Sequence, residues 1–353
     1  MNNKFDIIHL VRIFRPNVGG MESIVENIAR IQSRTGLRIL VITSEYLRES
    51  YSLDFNDSLE NYDIYRIKSF VLKGIILPSI RNRSFKHLKC STLHIHGMDP
   101  FVDLVSLYLN YDRKILSPHG GFYHTNSLLP LKWLYFNLVS KNLYRGVSAY
   151  SISYNDVALS KRLMTKAFYM GCGFNKMLLK EEDFERNSDD NVLIFGRIAP
   201  NKNVKGSINF ALENFSSPSI TVVGHDQIGL SDFYSNHYNV NFKGMIDDSQ
   251  LRDEFLKAHY FICLSKYEGL GMTVLEALYG GLRCILSNIE SFRLIEENLE
   301  SDLKQHFIYI IGYSTISFED WKLQSCTSEM RIKISKSIAN QFSWENVVKV
   351  LEN

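Results

Sequence analysis

The sequence has no run approaching the ~20 apolar residues of a membrane-spanning helix, which excludes an integral helical membrane protein. Its opening, MNNKFDIIHLVRIFRPN, carries charges at Lys4, Asp6, Arg12 and Arg15 and does not read as a secretory signal. The five cysteines (Cys90, Cys172, Cys263, Cys284 and Cys326) are scattered and odd in number, without metal-ligand spacing. They read as reduced thiols in a cytoplasmic protein. Low-complexity segments and short repeats are absent. One further absence is local: no acidic residue falls between Asp63 and Asp99, a span holding Arg66, Lys68, Lys73, Arg81, Arg83, Lys86 and Lys89.

That gap belongs to a wider asymmetry. Residues 1–175 hold 22 Lys+Arg against 13 Asp+Glu, while residues 176–353 hold 18 against 25, so the small net charge of +2 conceals two halves of opposite sign. The basic span is interleaved with apolar runs such as FVLKGIILPSI, a combination suited to anionic membranes or anionic ligands, or to a solvated helix face.

With 353 residues, 45% hydrophobic and 22% charged, the chain has material for two ordinary globular domains. KFDIIHLVRIF (4–14), LRILVITS (37–44), YDIYRIKSF (62–70), STLHIHG (91–97) and RKILSPHG (113–120) predict strands. MESIVENIARIQSR has apolar residues at helical spacing, and PFVDLVSLYLNY predicts a second helix. The acidic LLKEEDFERNSDDN (178–191) reads as an interdomain linker. Beyond it NVLIFGR, SITVVG, YNVNFKG, HYFICLS and LRCILS repeat the alternation. The expected architecture is α/β: a Rossmann-like doubly wound domain over 1–177, a linker over 178–191, a second such domain over 192–335, and a terminal helix at 336–353 packing back toward the first domain.

Ligands of doubly wound sheets bind at the carboxyl ends of the strands, and there the sequence concentrates its unusual residues. NVGGME places Gly19 and Gly20 at a helix start; SPHGG brings His119; GRIAPNKNVKG brings Arg197 and Lys202; SKYEGLGMTVLEA brings Glu268 and Glu276 around a glycine turn. Taken singly, each is as well explained by a turn or a solvated charge. Falling on one edge of two consecutive sheets, they describe a nucleotide diphosphate site. A guanidinium fork and an ammonium suit diphosphate oxygens, and the amides of Gly271, Met272 and Thr273 open a helix whose N-terminus attracts phosphate. Glu276 lies roughly 7.5 Å further along at ~1.5 Å per residue, the offset from a phosphate to a ribose. Glu268 then faces the group beyond the diphosphate.

EGLGMTVLEA, GRIAPNKNVKG, NVGGME, SPHGG and the closing FSWENV together resemble the retaining glycosyltransferases of family 4, which have the GT-B fold, and the resemblance spans nearly the whole chain. SPHGGFYHTNSLLPLKWLYFNLV is similar to members that build bacterial surface polysaccharides such as O-antigen, capsule or lipopolysaccharide. The resemblance implies transfer of a hexose or N-acetylhexosamine from a nucleotide-sugar donor held mainly by the C-terminal domain to a glycan acceptor, lipid-linked in this group, held by the N-terminal one. Glu276 would bind ribose, Glu268 donor-sugar hydroxyls, and His119 would lie beside the transferred sugar. No cofactor or obligatory metal is implied, because Arg197, Lys202 and the helix amides neutralise the leaving group. The departing phosphate would take the acceptor's proton on the same face. One departure is MGCGFN ahead of the linker, where the family often has Asn-Gly.

Other readings share these residues. A GT-B nucleotide-sugar epimerase would need no acceptor, a silent GT-B subunit would bind only a partner, and Glu268 could be a nucleophile, as in retaining glycosidases. His94 and His96 share one strand face, with His119 and His124 following, which allows a metal. No carboxylate or cysteine completes that set. The basic 64–98 span, with Trp133, Tyr135 and Phe136 among Lys132, Lys141 and Arg145, predicts peripheral docking on the anionic inner face of the cell membrane. No feature points to nucleic acid.

Overall fold

The computed structural model describes residues 4–17, 19–47, 61–79, 84–119, 129–163, 166–185 and 190–352. Arg81, Arg83 and His124 lie outside these. The chain divides into two compact units, one of Met1–Gly173 with Trp344–Asn353 and one of Phe174–Ser343.

The first unit is built on a seven-stranded, all-parallel sheet in the order β3-β2-β1-β6-β7-β8-β9. Its strands are β1 (Lys4–Val11), β2 (Ile39–Ser44), β3 (Asp63–Ile67), β6 (Lys89–His96), β7 (Asn110–Ser117), β8 (Ser148–Ser151) and β9 (Lys166–Tyr169). From β1 the chain runs outward through β2 to β3, then returns to place β6 on the other side of β1, so the order reverses between β1 and β6. Helix α1 (Gly20–Arg34) buries Ile24, Val25, Ile28 and Ala29, one face of the expected spacing.

Two elements depart from the sequence reading. The strand expected over 62–70 stops at Ile67; Lys68 leaves the sheet, and Ser69–Leu72 (β4) pairs antiparallel with Ile75–Pro78 (β5). Lys73 and Gly74 join them, both with positive φ (48° and 79°), which matches the twist of a tight hairpin. The helix expected from Pro100 to Tyr111 ends early. Helix α2 (Pro100–Ser106) is capped by Asp99, which accepts from the amides of Phe101 and Val102. Asn110 and Tyr111 instead pair with Lys89 and Cys90 at the start of β7, where ladder hydrogen bonds replace helical ones.

The second unit carries a six-stranded parallel sheet, β12-β11-β10-β13-β14-β15. Its strands are β10 (Asn191–Phe195), β11 (Ser219–Val223), β12 (Val240–Gly244), β13 (Tyr260–Cys263), β14 (Arg283–Leu286) and β15 (Ile308–Ile310). Here the order reverses between β10 and β13. Of the acidic segment read as a linker, Glu181–Phe184 forms a short turn with Phe184 buried beside Gly281, inside this unit. The end of the chain is two helices rather than one. Ser328–Gln341 packs in the second unit, whereas Trp344–Glu352 buries Trp344, Val347, Val348 and Leu351 and packs on α1 in the first. Among the described residues no helix is long and apolar enough to cross a membrane.

Two glycines let the loops leaving β10 and β11 touch. Gly196 and Gly224 have φ of +132° and +143°, and a Cβ on Gly224 would stand 1.9 Å from the Gly196 carbonyl oxygen. Gly224→Ala should therefore destabilise the second unit by about 3 kcal/mol or more, read as a lowered denaturation midpoint.

Candidate active site

Of the residues expected to carry chemistry in the second unit, Arg197, Lys202, Glu268 and Thr273 line one pocket at its reversal point, while Gly271, Met272 and Glu276 are not part of that lining. Loop 196–203, leaving β10, and loop 264–271, leaving β13, are stitched together by the Lys266 amide donating to the Asn201 carbonyl at 2.8 Å. Ser207 Oγ accepts from the Leu264 amide at 3.2 Å, and Ser287 Oγ donates to the Ser265 carbonyl at 2.5 Å. Asn203, in the left-handed region at φ 49°, turns the chain into helix α3 (Val204–Asn214) directly after Lys202.

Lys202 Nζ reaches both oxygens of Glu268, at 2.5 and 2.7 Å, and Ser265 Oγ donates to Oε1 at 2.8 Å. This pair lines a small, partly open pocket whose walls also include Gly196, Arg197, Ser207 and Thr273. Arg197 is exposed. Across the pocket, Gly271 (φ +94°) caps helix α4 (Met272–Tyr279). A Cβ there would meet the Phe292 ring at 2.7 Å, so conformation and space both demand glycine. The amides of Met272 and Thr273 belong to the helix's first turn, which has no intrahelical acceptors for them. One concave surface thus offers a guanidinium, an ammonium, helix amides and a carboxylate.

Glu276 lies further along α4, buried, and accepts from the backbone amide of Asn175. Burial pushes its carboxyl up to about 8, against the lowering effect of that amide. The MGCGFN segment thus reaches Glu276 of α4 through a backbone amide, which no side-chain motif signals.

In the first unit Gly19 is the N-cap of α1 with extended backbone, and Gly20 is its first residue. The Glu22 carboxylate lies over Gly19, where a Cβ would stand 2.4 Å from Oε2. His119 follows β7 in the left-handed region at φ 47°, and is buried. His96 Nδ1 and His119 Nε2 are 3.0 Å apart, and His9 Nδ1 and His96 Nε2 are also 3.0 Å apart. His9, His94 and His96 bring ring nitrogens within 4.8 Å of one another, close enough for one ion. The sequence reading found His94 and His96 but not His9, which joins them because β1 pairs with β6 in the register His9↔His94. Periodicity within one strand cannot reveal that register.

Two Rossmann-like parallel units, the second with a cationic pocket at its switch point, define a GT-B protein. Residues 178–305 match the family model for "Glycosyl transferases group 1". That match lies in the second unit, and the fold of the chain is that of GT-B glycosyltransferases. It is 28% identical over 311 residues to the GDP-mannose:cellobiosyl-diphosphopolyprenol alpha-mannosyltransferase of Komagataeibacter xylinus, covering 82% of this chain and 78% of that one. To the protein of the same name from Xanthomonas oryzae pv. oryzae it is 26% identical over 322 residues, covering 83% and 81%. Among solved structures, Anabaena HepE in complex with UDP and glucose superposes with a TM-score of 0.68 at 14% identity, covering 99% and 98%.

A carboxyl whose folded pKa is raised keeps its proton in the native state while the unfolded chain loses it, so stability falls as pH rises from about 4.5 through 8. Replacing Glu276 by Gln removes that dependence. Between pH 5 and 8 the wild type should lose about 3 kcal/mol relative to Glu276→Gln, measured by chemical denaturation of both proteins at each pH.

Proposed function

We propose that the protein transfers a hexosyl group, mannose from GDP-mannose in the first instance, to a polyprenyl-diphosphate-linked glycan in surface-polysaccharide synthesis, with retention at the anomeric carbon. The observation that carries this reading is the pocket at the β10/β13 reversal, where Arg197, Lys202, Glu268 and the start of α4 converge. The names of the curated relatives supply the donor and the class of acceptor.

In this reading the donor diphosphate displaces part of the Lys202–Glu268 contact. Arg197, Lys202 and the amides of Gly271, Met272 and Thr273 stabilise the charge that grows on the leaving diphosphate. Glu276 accepts from the ribose hydroxyls, and Glu268, released on one side, accepts from hydroxyls of the transferred sugar. The hold of Lys202 and Ser265 on Glu268 suits a hydroxyl-binding group better than a nucleophile. The proton of the attacking hydroxyl passes to the departing phosphate on the same face. No metal takes part in this scheme.

Incubation with a set of sugar nucleotides should show consumption only when a lipid-diphosphate-linked glycan is present, and undiminished in a chelator. Consumption without acceptor would point to epimerisation and sink the transfer reading. Lys202→Ala should lower kcat by about a hundredfold or more while the protein stays folded; unchanged turnover would remove Lys202 from the diphosphate.

The first unit also presents a surface suited to reaching that acceptor. Phe70, Val71 and Leu72 of the β4–β5 hairpin are each at least half exposed, beside Lys73 at its tip. On the helical segment from Leu129, Trp133, Leu134 and Leu138 are exposed as well, with Lys141 and Arg145 following. Tyr135 and Tyr144 anchor this segment by donating from their hydroxyls to Asp103 of α2. Such surfaces bind an anionic bilayer by apolar insertion and attraction to its headgroups. The protein should sediment with phosphatidylglycerol vesicles at low salt, and Trp133→Ser with Leu72→Ser should weaken this about tenfold or more. Equal sedimentation of the variant would exclude this surface.

A further inference from the structure

Four buried side chains of the first unit form one continuous hydrogen-bonded line across its sheet. Gln32 of α1 places Oε1 2.8 Å from His9 Nε2. His9 of β1 meets His96 of β6 through Nδ1, and His96 meets His119, just past β7, through its own Nδ1. The line crosses the sheet between β1 and β6, where the strand order reverses and ligands of such sheets bind. His94 stands beside it, its ring centroid 3.9 Å from that of His96 and its Nε2 bonded to Ser117 Oγ at 2.8 Å.

A neutral imidazole has one N–H and one acceptor nitrogen, so each bond in such a line dictates the next. The Gln32 oxygen can only accept, hence His9 carries its proton on Nε2 and accepts at Nδ1. His96 must then donate from Nε2 and accept at Nδ1, and His119 must donate from Nε2. Burial lowers the His9 pKa to about 4 and that of His96 well below its usual value, so both are neutral at physiological pH. The opposite polarity, with every proton on Nδ1, would set the bare His9 Nε2 against the Gln32 oxygen, acceptor facing acceptor, unless the amide turned.

We propose that Gln32, His9 and His96 are positioning residues that lock His119 in its Nε2–H tautomer, making Nδ1 an acceptor for a ligand hydroxyl. The hydroxyl assignment rests on the function proposed above; the tautomer assignment does not. It excludes carboxylate or phosphate oxygens as partners of Nδ1 on neutral His119, since neither brings a proton. The left-handed backbone at His119, uncommon for a side chain with a Cβ, holds the ring at the end of the line.

The test is long-range ¹H–¹⁵N spectroscopy of the full chain labelled at histidine, with His119 assigned by its loss in His119→Asn. The expected pattern is Nε2–H for His9, His96 and His119 alike. Gln32→Leu removes the selecting oxygen and should move His119 toward Nδ1–H, with about a tenfold or larger fall in kcat/KM at unchanged folding. Gln32→Glu keeps an acceptor and should retain the wild-type pattern. His119 found as Nδ1–H in the wild type, a pattern unmoved by Gln32→Leu, or a stoichiometric metal found by elemental analysis on His9 and His96 would each overturn the proposal. The Nε2–H pattern in a protein that turns over no sugar nucleotide would strike at the proposed function and leave the tautomer lock standing.

Discussion

Parallel pairing constrains this protein more than any single contact, because all strands of a parallel sheet end at the same edge. Both sheets also reverse their order, between β1 and β6 in one unit and between β10 and β13 in the other. At a reversal, the two loops leaving neighbouring strands run in opposite directions and leave space between them. The Lys202–Glu268 pair occupies that position in the second sheet and the histidine line in the first. Neither group of residues is close in sequence; Lys202 and Glu268 are 66 positions apart.

The two reversal points are electrostatically different. In the second unit, opposite charges compensate one another: Lys202 and Glu268 are largely buried but paired, and Ser265 satisfies a further lone pair. Breaking such a pair from one side leaves a charge without compensation. Glu276 has no cationic partner among the described residues and leans toward its neutral form. In the first unit, burial keeps His9, His94 and His96 uncharged, and hydrogen bonds rather than charges order them. A cationic pocket suits a diphosphate, while a neutral line of acceptors and donors suits hydroxyls.

Much of this was legible in the sequence because it depends on local pattern. The strands NVLIFGR, SITVVG and HYFICLS, and the helix MESIVENIARIQSR, reappear close to their expected limits, since alternation and helical spacing report burial directly. Gly271 was legible because a positive φ with no room for a Cβ admits little else. The short β8, β9 and β15 were not: unlike the equally short β13 and β14, whose residues are all buried, β8 and β9 in SAYS and KAFY lack a continuous apolar run, and the three residues of β15 are too few to carry one. The strand drawn through Lys68 failed for a related reason: apolar alternation continues from β3 into β4, but the partner strand changes.

What the sequence by itself determined is the inventory: two α/β halves, glycine turns at strand ends, and the charged residues and histidines that gather there. Tertiary structure alone decided which of those residues touch. His9 joins His96 through strand register, Gln32 reaches His9 because α1 packs over β1, and the Asn175 amide finds Glu276 across a hundred residues of chain. Propensity and periodicity act over a few residues, whereas register and packing are set by the whole buried sheet, so contacts of that range are written only in the fold.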